Sequence, residues 1–476
     1  MSTHRAAPTL TGPLDLRARG TRFRLFAVYA EGMAPELITL PLPPGSIGPG
    51  PSDPDLSVAD AADKAQPYDP PGYAPPFTGA LLPPALPDAA GNFDHVPFGT
   101  PQFLAAHLYG SVRFTLEIWQ DYLRRRIVWA SAEQYPQMEL VPLLDWNNAQ
   151  SGPGFLETGL YRGTDGALQP FALDFDVVGH ETGHQILFSV IGVPDADEIG
   201  VPFLAFHEAF SDLIAIVAVM HFPSVLPRLL AQTEGNLYVL NLVNRFAETS
   251  ANTQIRLASN TATMGDVAGI TLAPDGSWID PRGEGRNQHA IAAPLEGAIF
   301  DCLVEIYQEA LVADGLLPED SDPRGWTRDE VTAAFDSLRL RSARAYRRFA
   351  ADFVGAIVQA RDQVGRALAH VMLTVRPEGL NFDEVAARFL DGLLEQGNGA
   401  ILPALLDRFL WRGIDPRPFL RFVPVGLAGR RRPELFRVAA APHRAGCAHC
   451  DPAATLRMAR LIRAGHAAHR SRLSAS

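Results

Sequence analysis

The run Asp176-Val177-Val178-Gly179-His180-Glu181-Thr182-Gly183-His184 carries the residue types of metal-dependent hydrolysis. On an α-helix, positions i and i+4 lie about one turn apart on the same face. His180 and His184 can therefore aim two imidazoles at one ion. Glu181, one residue on, sets its carboxylate beside that ion. Two nitrogen ligands with an adjacent general base are what a zinc hydrolase needs. Catalytic zinc also needs a third protein ligand and a position open to water. Glu208, in Phe206-His207-Glu208-Ala209-Phe210-Ser211-Asp212, is the candidate. The intervening chain is long enough for a helix end, a loop and a return helix. Asp212 stands at i+4 from Glu208 and shares its face. There it could accept the outer N–H of a ligand histidine and fix its tautomer. Phe203, Phe206, Phe210, Leu213 and Ile216 surround the two acids in sequence, so that face points inward.

The two motifs together resemble the thermolysin-like zinc metallopeptidases of the gluzincin group. That family pairs a Gly-His-Glu-x-x-His helix with an Asn-Glu-x-x-Ser-Asp helix, whose place His207-Glu208 and Ser211-Asp212 take here. The resemblance spans about residues 95–415, with its specific part at 145–212. It implies an α+β fold, a two-lobed zincin. A mixed N-terminal lobe would carry an edge strand and the active-site helix, and the C-terminal lobe would be all helical. It implies one zinc ion on His180, His184 and Glu208, with Asp212 supporting a ligand histidine. Glu181 would activate water and pass the proton to the leaving amine. Trp146-Asn147-Asn148-Ala149 resembles the family's substrate-binding edge strand, so Asn148 and Ala149 would hold the substrate backbone. Glu284-Gly285-Arg286-Asn287-Gln288-His289 resembles the segment whose histidine stabilises the oxyanion and whose acid orients it. Those roles would fall on His289 and Glu284, and the substrate-binding arginine on Arg256.

The chain also departs from the family. Residues 185–206 contain no tyrosine, where the family has one that helps bind the oxyanion. Losing such a donor costs about 3–4 kcal/mol of transition-state stabilisation unless another group replaces it. Asp176 matches a family calcium ligand, but Val219 stands where the next calcium carboxylate would fall, and no acid occurs from Leu213 to Thr233. The family's double calcium site is therefore not expected.

These groups need elements to position them. The chain has 476 residues, 47% of them hydrophobic, enough for a large core. Its net charge of −12 argues against nucleic acid as a partner. No run reaches the roughly 18 uninterrupted apolar residues of a membrane span. Three cysteines and no recognisable signal segment favour a cytoplasmic location; secretion by an unrecognised route stays open. A strand is expected within 23–29. Residues 1–40 read as an N-terminal extended segment, and 41–94, rich in Pro and Gly, as a linker or strap without regular elements. Residues 95–200 would form the N-terminal catalytic lobe, 201–416 the helical C-terminal lobe and 417–476 a tail. Periodicity predicts helices over 101–127, 175–191, 202–221, 225–248, 295–312, 328–373, 381–396 and 400–412, and a strand over 139–149. Cys447-Ala448-His449-Cys450, with His443 nearby, has no partner pair and reads as an ordinary tail rather than a zinc site.

The expectation is a zinc metalloendopeptidase acting on a peptide or protein substrate. One alternative is a zinc-binding protein with a degenerate peptidase site, serving as an interaction module. Another is an aminopeptidase-type gluzincin, which needs an acidic anchor for the free amine; no Gly-x-Met-Glu-Asn-like stretch is present.

Overall fold

Strict alternation in Thr21–Leu25 (β1) turns Thr21, Phe23 and Leu25 inward and Arg22 and Arg24 outward. This strand pairs antiparallel with Glu36–Leu40 (β2), Thr21 opposite Leu40. The hairpin packs on a long helix, Pro101–Leu123 (α1). Gly110 permits that contact, because a Cβ there would stand 2.7 Å from Leu25 Cδ2. Thr100 caps α1 through its side chain, Pro101 opens it, and Arg124 ends it in a left-handed turn. The helix is thus a little shorter than the 101–127 expected.

The computed structural model describes residues 19–29, 34–162, 166–194, 199–237, 245–246, 256–257, 260–322 and 328–421. The expected tail reading at Cys447 and Cys450 lies outside these residues. Among them the fold is mixed α+β, with several small sheets and more residues in helices than in strands.

The main sheet joins Leu56–Val58 (β3), Met138–Val141 (β4), Ala149–Gly152 (β5) and Phe155–Thr158 (β6) in the order β3-β4-β6-β5. The first two pairings are parallel and the last antiparallel, which leaves β5 at an edge. Two expectations change here. The strand predicted over 139–149 is split, since Pro142 cannot continue the ladder after Val141. The 41–94 segment is not devoid of regular elements, because its proline-free Leu56-Ser57-Val58 supplies β3. Residues downstream of β3 fasten to the sheet through charges. Lys64 Nζ lies 2.9 Å from Glu157 Oε2, both side chains fully buried. Tyr68 Oη donates to Glu139 at 2.5 Å, and Phe77 N donates to the same carboxylate at 3.0 Å. A second ribbon, Leu160–Arg162 (β7) with Leu168–Pro170 (β8), leads to the next helix.

That helix is Phe175–Val190 (α2), followed by Val201–Val219 (α3) and Val225–Thr233 (α4). The last was expected to reach 248. It stops at Thr233 because Glu234 and Gly235 both turn left-handed. Two short ribbons follow, Arg245–Phe246 (β9) with Arg256–Leu257 (β10), and Thr271–Leu272 (β11) with Trp278–Ile279 (β12). Then come Gln288–Ala313 (α5), Arg328–Thr374 (α6, broken at Phe349), Phe382–Glu395 (α7) and Leu402–Trp411 (α8). The start of α5 precedes the expected 295 because Asn287 caps it, its side chain accepting from His289 N. One continuous core joins α1 to α2, α3 and the later helices. By length and composition α3 could cross a membrane, yet 89% of it is buried inside the protein.

Candidate metal centre

Two glycines decide how α2 meets α3. A Cβ on Gly183 would lie 2.9 Å from Ser211 Cα, and one on Gly179 would lie 3.1 Å from Ala215 Cβ. A bare face at i and i+4 lets the backbones approach closely. That approach sets His180 and His184 of α2 against Glu208 and Asp212 of α3, all four buried.

His180 Nε2 and His184 Nε2 lie 3.0 Å apart. Glu208 Oε2 stands 3.5 Å from the first and 4.0 Å from the second. Tetrahedral zinc at ordinary bond lengths spaces its donors about 3.3 Å apart, so the two nitrogens and the oxygen suit one ion. Among the described residues this is the group of three His, Cys, Asp or Glu side chains close enough to share a metal ion. Asp212 Oδ1 lies 2.5 Å from His180 Nδ1. A carboxylate only accepts, so His180 carries its proton on Nδ1 and turns the Nε2 lone pair toward the centre. The His207 ring lies parallel to His184 at 5.8 Å and is flanked by Phe188 and Phe203.

Glu181 is buried one residue from His180. Its main-chain carbonyl accepts from Ser151 Oγ at 2.9 Å, which ties α2 to β5. Gly159 N donates to Asn148 O across the ladder. By antiparallel alternation, Ala149 and Ser151 then direct their main-chain groups away from β6. Ala149 N donates to the Asn148 Oδ1 at 2.9 Å. The expected substrate-binding pair thus sits at the edge strand of the sheet, with Ala149 buried against Tyr161 and Phe171.

His289 reaches the centre from the first turn of α5, with Nδ1 3.0 Å from Glu208 Oε2. Burial alone would raise the Glu208 pKa. His289, His180 and His184 facing it outweigh this and hold it well below the usual carboxylate range.

Glu284 does not orient His289. Its side chain is 60% exposed and meets Arg286 Nε at 3.4 Å. Left-handed glycines flank it, Gly283 and Gly285, and His289 meets the Glu208 carboxylate. Arg256 opens the two-residue strand β10, and its side chain lies outside the described residues. Asp176 lies in the first turn of α2. Three residues escaped the sequence reading. Ser151 carries no motif. His207 stands where the resemblance has an asparagine. Asp280, which binds the loop before His289, lies too far upstream for the motif spacing to mark it. No protein-family model matches the chain, and no curated protein matches it.

Proposed function

We propose that this chain is a zinc-dependent metallopeptidase, built as a two-lobed thermolysin-like zincin with α2 and α3 between its lobes. The observation that most supports this is the convergence of His180 Nε2, His184 Nε2 and Glu208 Oε2 beside the buried Glu181. The donor set of two imidazoles and one carboxylate fits a zinc ion that keeps a position open. Bound there, zinc would polarise a scissile carbonyl and acidify a water molecule.

The chain's own residues do the rest. The Glu181 carboxylate takes the proton of the attacking water and hands it to the leaving amine nitrogen. Asp212 keeps the proton of His180 on Nδ1. His289, its Nδ1 turned to Glu208, presents Nε2 to the oxyanion. Ala149, at the edge of the sheet, pairs with the extended substrate backbone. Main-chain pairing accepts many side chains, as a peptidase requires. Peptides or proteins are therefore the partners proposed.

The test combines metal analysis with hydrolysis of a quenched peptide library. One zinc per chain, and cleavage lost in Glu181→Gln, is the expected result. Stoichiometric zinc with no Glu181-dependent cleavage would leave the non-catalytic zinc-binding module as the reading. Protein that takes up no zinc would sink both.

A further inference from the structure

His289 lies at the end of a loop that has no regular structure of its own. Residues 280–287 include Gly283 and Gly285, both left-handed, with φ +68° and +70°. Glycine has the most backbone freedom to lose, so such a loop holds one shape only if something gathers it. One carboxylate does so. Asp280 accepts from Arg282 N at 3.0 Å, Glu284 N at 2.9 Å and Arg286 N at 3.1 Å. The Arg286 guanidinium adds Nη2 at 2.6 Å and Nε at 3.2 Å, and its Nη1 donates to Asp266 O at 2.7 Å. The Asp280 side chain is only 4% exposed. It directly follows β12, whose Trp278 packs against the cluster containing Phe188 of α2. One residue past Arg286, the Asn287 cap starts α5, and His289 follows.

We propose that Asp280, through Arg286, is the positioning residue for His289, the part that the family resemblance gives to Glu284. The charge-assisted pair fixes the approach of the chain to α5. That approach sets where the imidazole stands against Glu208. The inference rests on the proposed role of His289, so its test reads the position of the ring as well as the rate.

The experiment uses the full chain loaded with zinc and labelled with ¹⁵N-histidine, the His289 signals being assigned with His289→Gln. Asp280→Asn and Arg286→Gln are compared with Asp275→Asn, which alters another turn carboxylate. Arg286→Gln keeps the main-chain bonds to Asp280 and serves if Asp280→Asn does not fold. The expected result has three parts. The His289 ring-nitrogen signals move in both loop variants and not in Asp275→Asn. The His180 and His184 signals stay, with one zinc per chain. With a peptide substrate, kcat falls about ten- to hundred-fold while KM stays within about two-fold. Unmoved His289 signals in a folded loop variant overturn the proposal. Signals of His289, His180 and His184 moving together also overturn it, since they mark a general structural role. Wild-type protein that cleaves nothing sinks the peptidase reading and leaves the spectral result to decide the positioning.

Discussion

Glu181 and His180 are neighbours in the chain, but in the proposed function one moves protons and the other holds the metal. Glu181→Gln removes the basic site and preserves the shape. It is expected to keep zinc and to lower kcat by about 10²- to 10⁴-fold, read from single-turnover peptide cleavage beside metal analysis. Asp212→Asn acts on the other function. Without the carboxylate 2.5 Å away, His180 loses its fixed tautomer, and zinc affinity should fall about 10- to 100-fold. Competition with a chromophoric chelator measures this. The pairs that sequence makes visible share one helix face: His180 with His184, and Glu208 with Asp212. His289 is legible as a candidate because it ends a recognisable segment; the groups that hold its loop are not, because a loop has no period to read. Glu284 occupies the expected spacing and points outward, while Asp280 binds three backbone N–H groups that no motif records.

At the scale of elements, the centre exists because α2 and α3 touch through glycine. Gly183→Ala would press a methyl group to 2.9 Å from Ser211 Cα, and backbone cannot move as a flexible side chain can. Overpacking of this kind costs about 1–3 kcal/mol, and zinc affinity should fall with it as the ligand helices part. Gly355→Ala, in the middle of α6 with nothing within 4 Å, should instead gain up to about 1 kcal/mol of helix propensity. Urea unfolding of both variants checks the contrast. A second junction depends on pH. His107 of α1 accepts from Phe26 N at 2.9 Å and lies 2.7 Å from Ala172 O, just ahead of α2. Burial pushes its pKa down from 6.5 to about 4, against the Ala172 contact, which raises it. The folded chain then binds fewer protons than the unfolded chain between those two values. Stability must therefore fall as pH drops through that window, by up to about 3 kcal/mol in all. Unfolding measured from pH 7 to 4 should show this slope, and His107→Gln should flatten it. The helix starts and stops repeat the lesson of the residue scale. Asn287 and Gly235 carry the residue types of a cap and a stop, so both ends are legible in the sequence.

Across the whole molecule, composition misled at residues 41–94. Forty prolines and forty glycines in the chain make a proline-rich stretch look like a loose strap. This one, however, adds β3 to the sheet and drives Lys64 under Tyr68, 3.6 Å from its ring centre. Burial lowers the Lys64 pKa and raises that of Glu157, each opposed by the partner's charge. Such a pair is a poor source of net stability, yet removing one member leaves the other charged and buried, at a cost of about 3–5 kcal/mol. Glu157 also accepts from Tyr68 N and from Gln150 Nε2 of β5, at 2.6 Å each. The damage should therefore pass to the edge strand that would bind substrate. Lys64→Met is expected to lose about 3–5 kcal/mol and to speed amide exchange in residues 149–152. In Lys64→Met/Glu157→Gln the acceptor for Tyr68 remains and the stranded charge is gone, so stability should return at least in part. If Lys64→Met alone matched wild type in urea unfolding and in exchange at β5, the segment would be the passive covering that its composition suggests. A loss that the second substitution repairs would make it a working part of the sheet, coupled to the metal centre through β5, Ser151 and the Glu181 carbonyl.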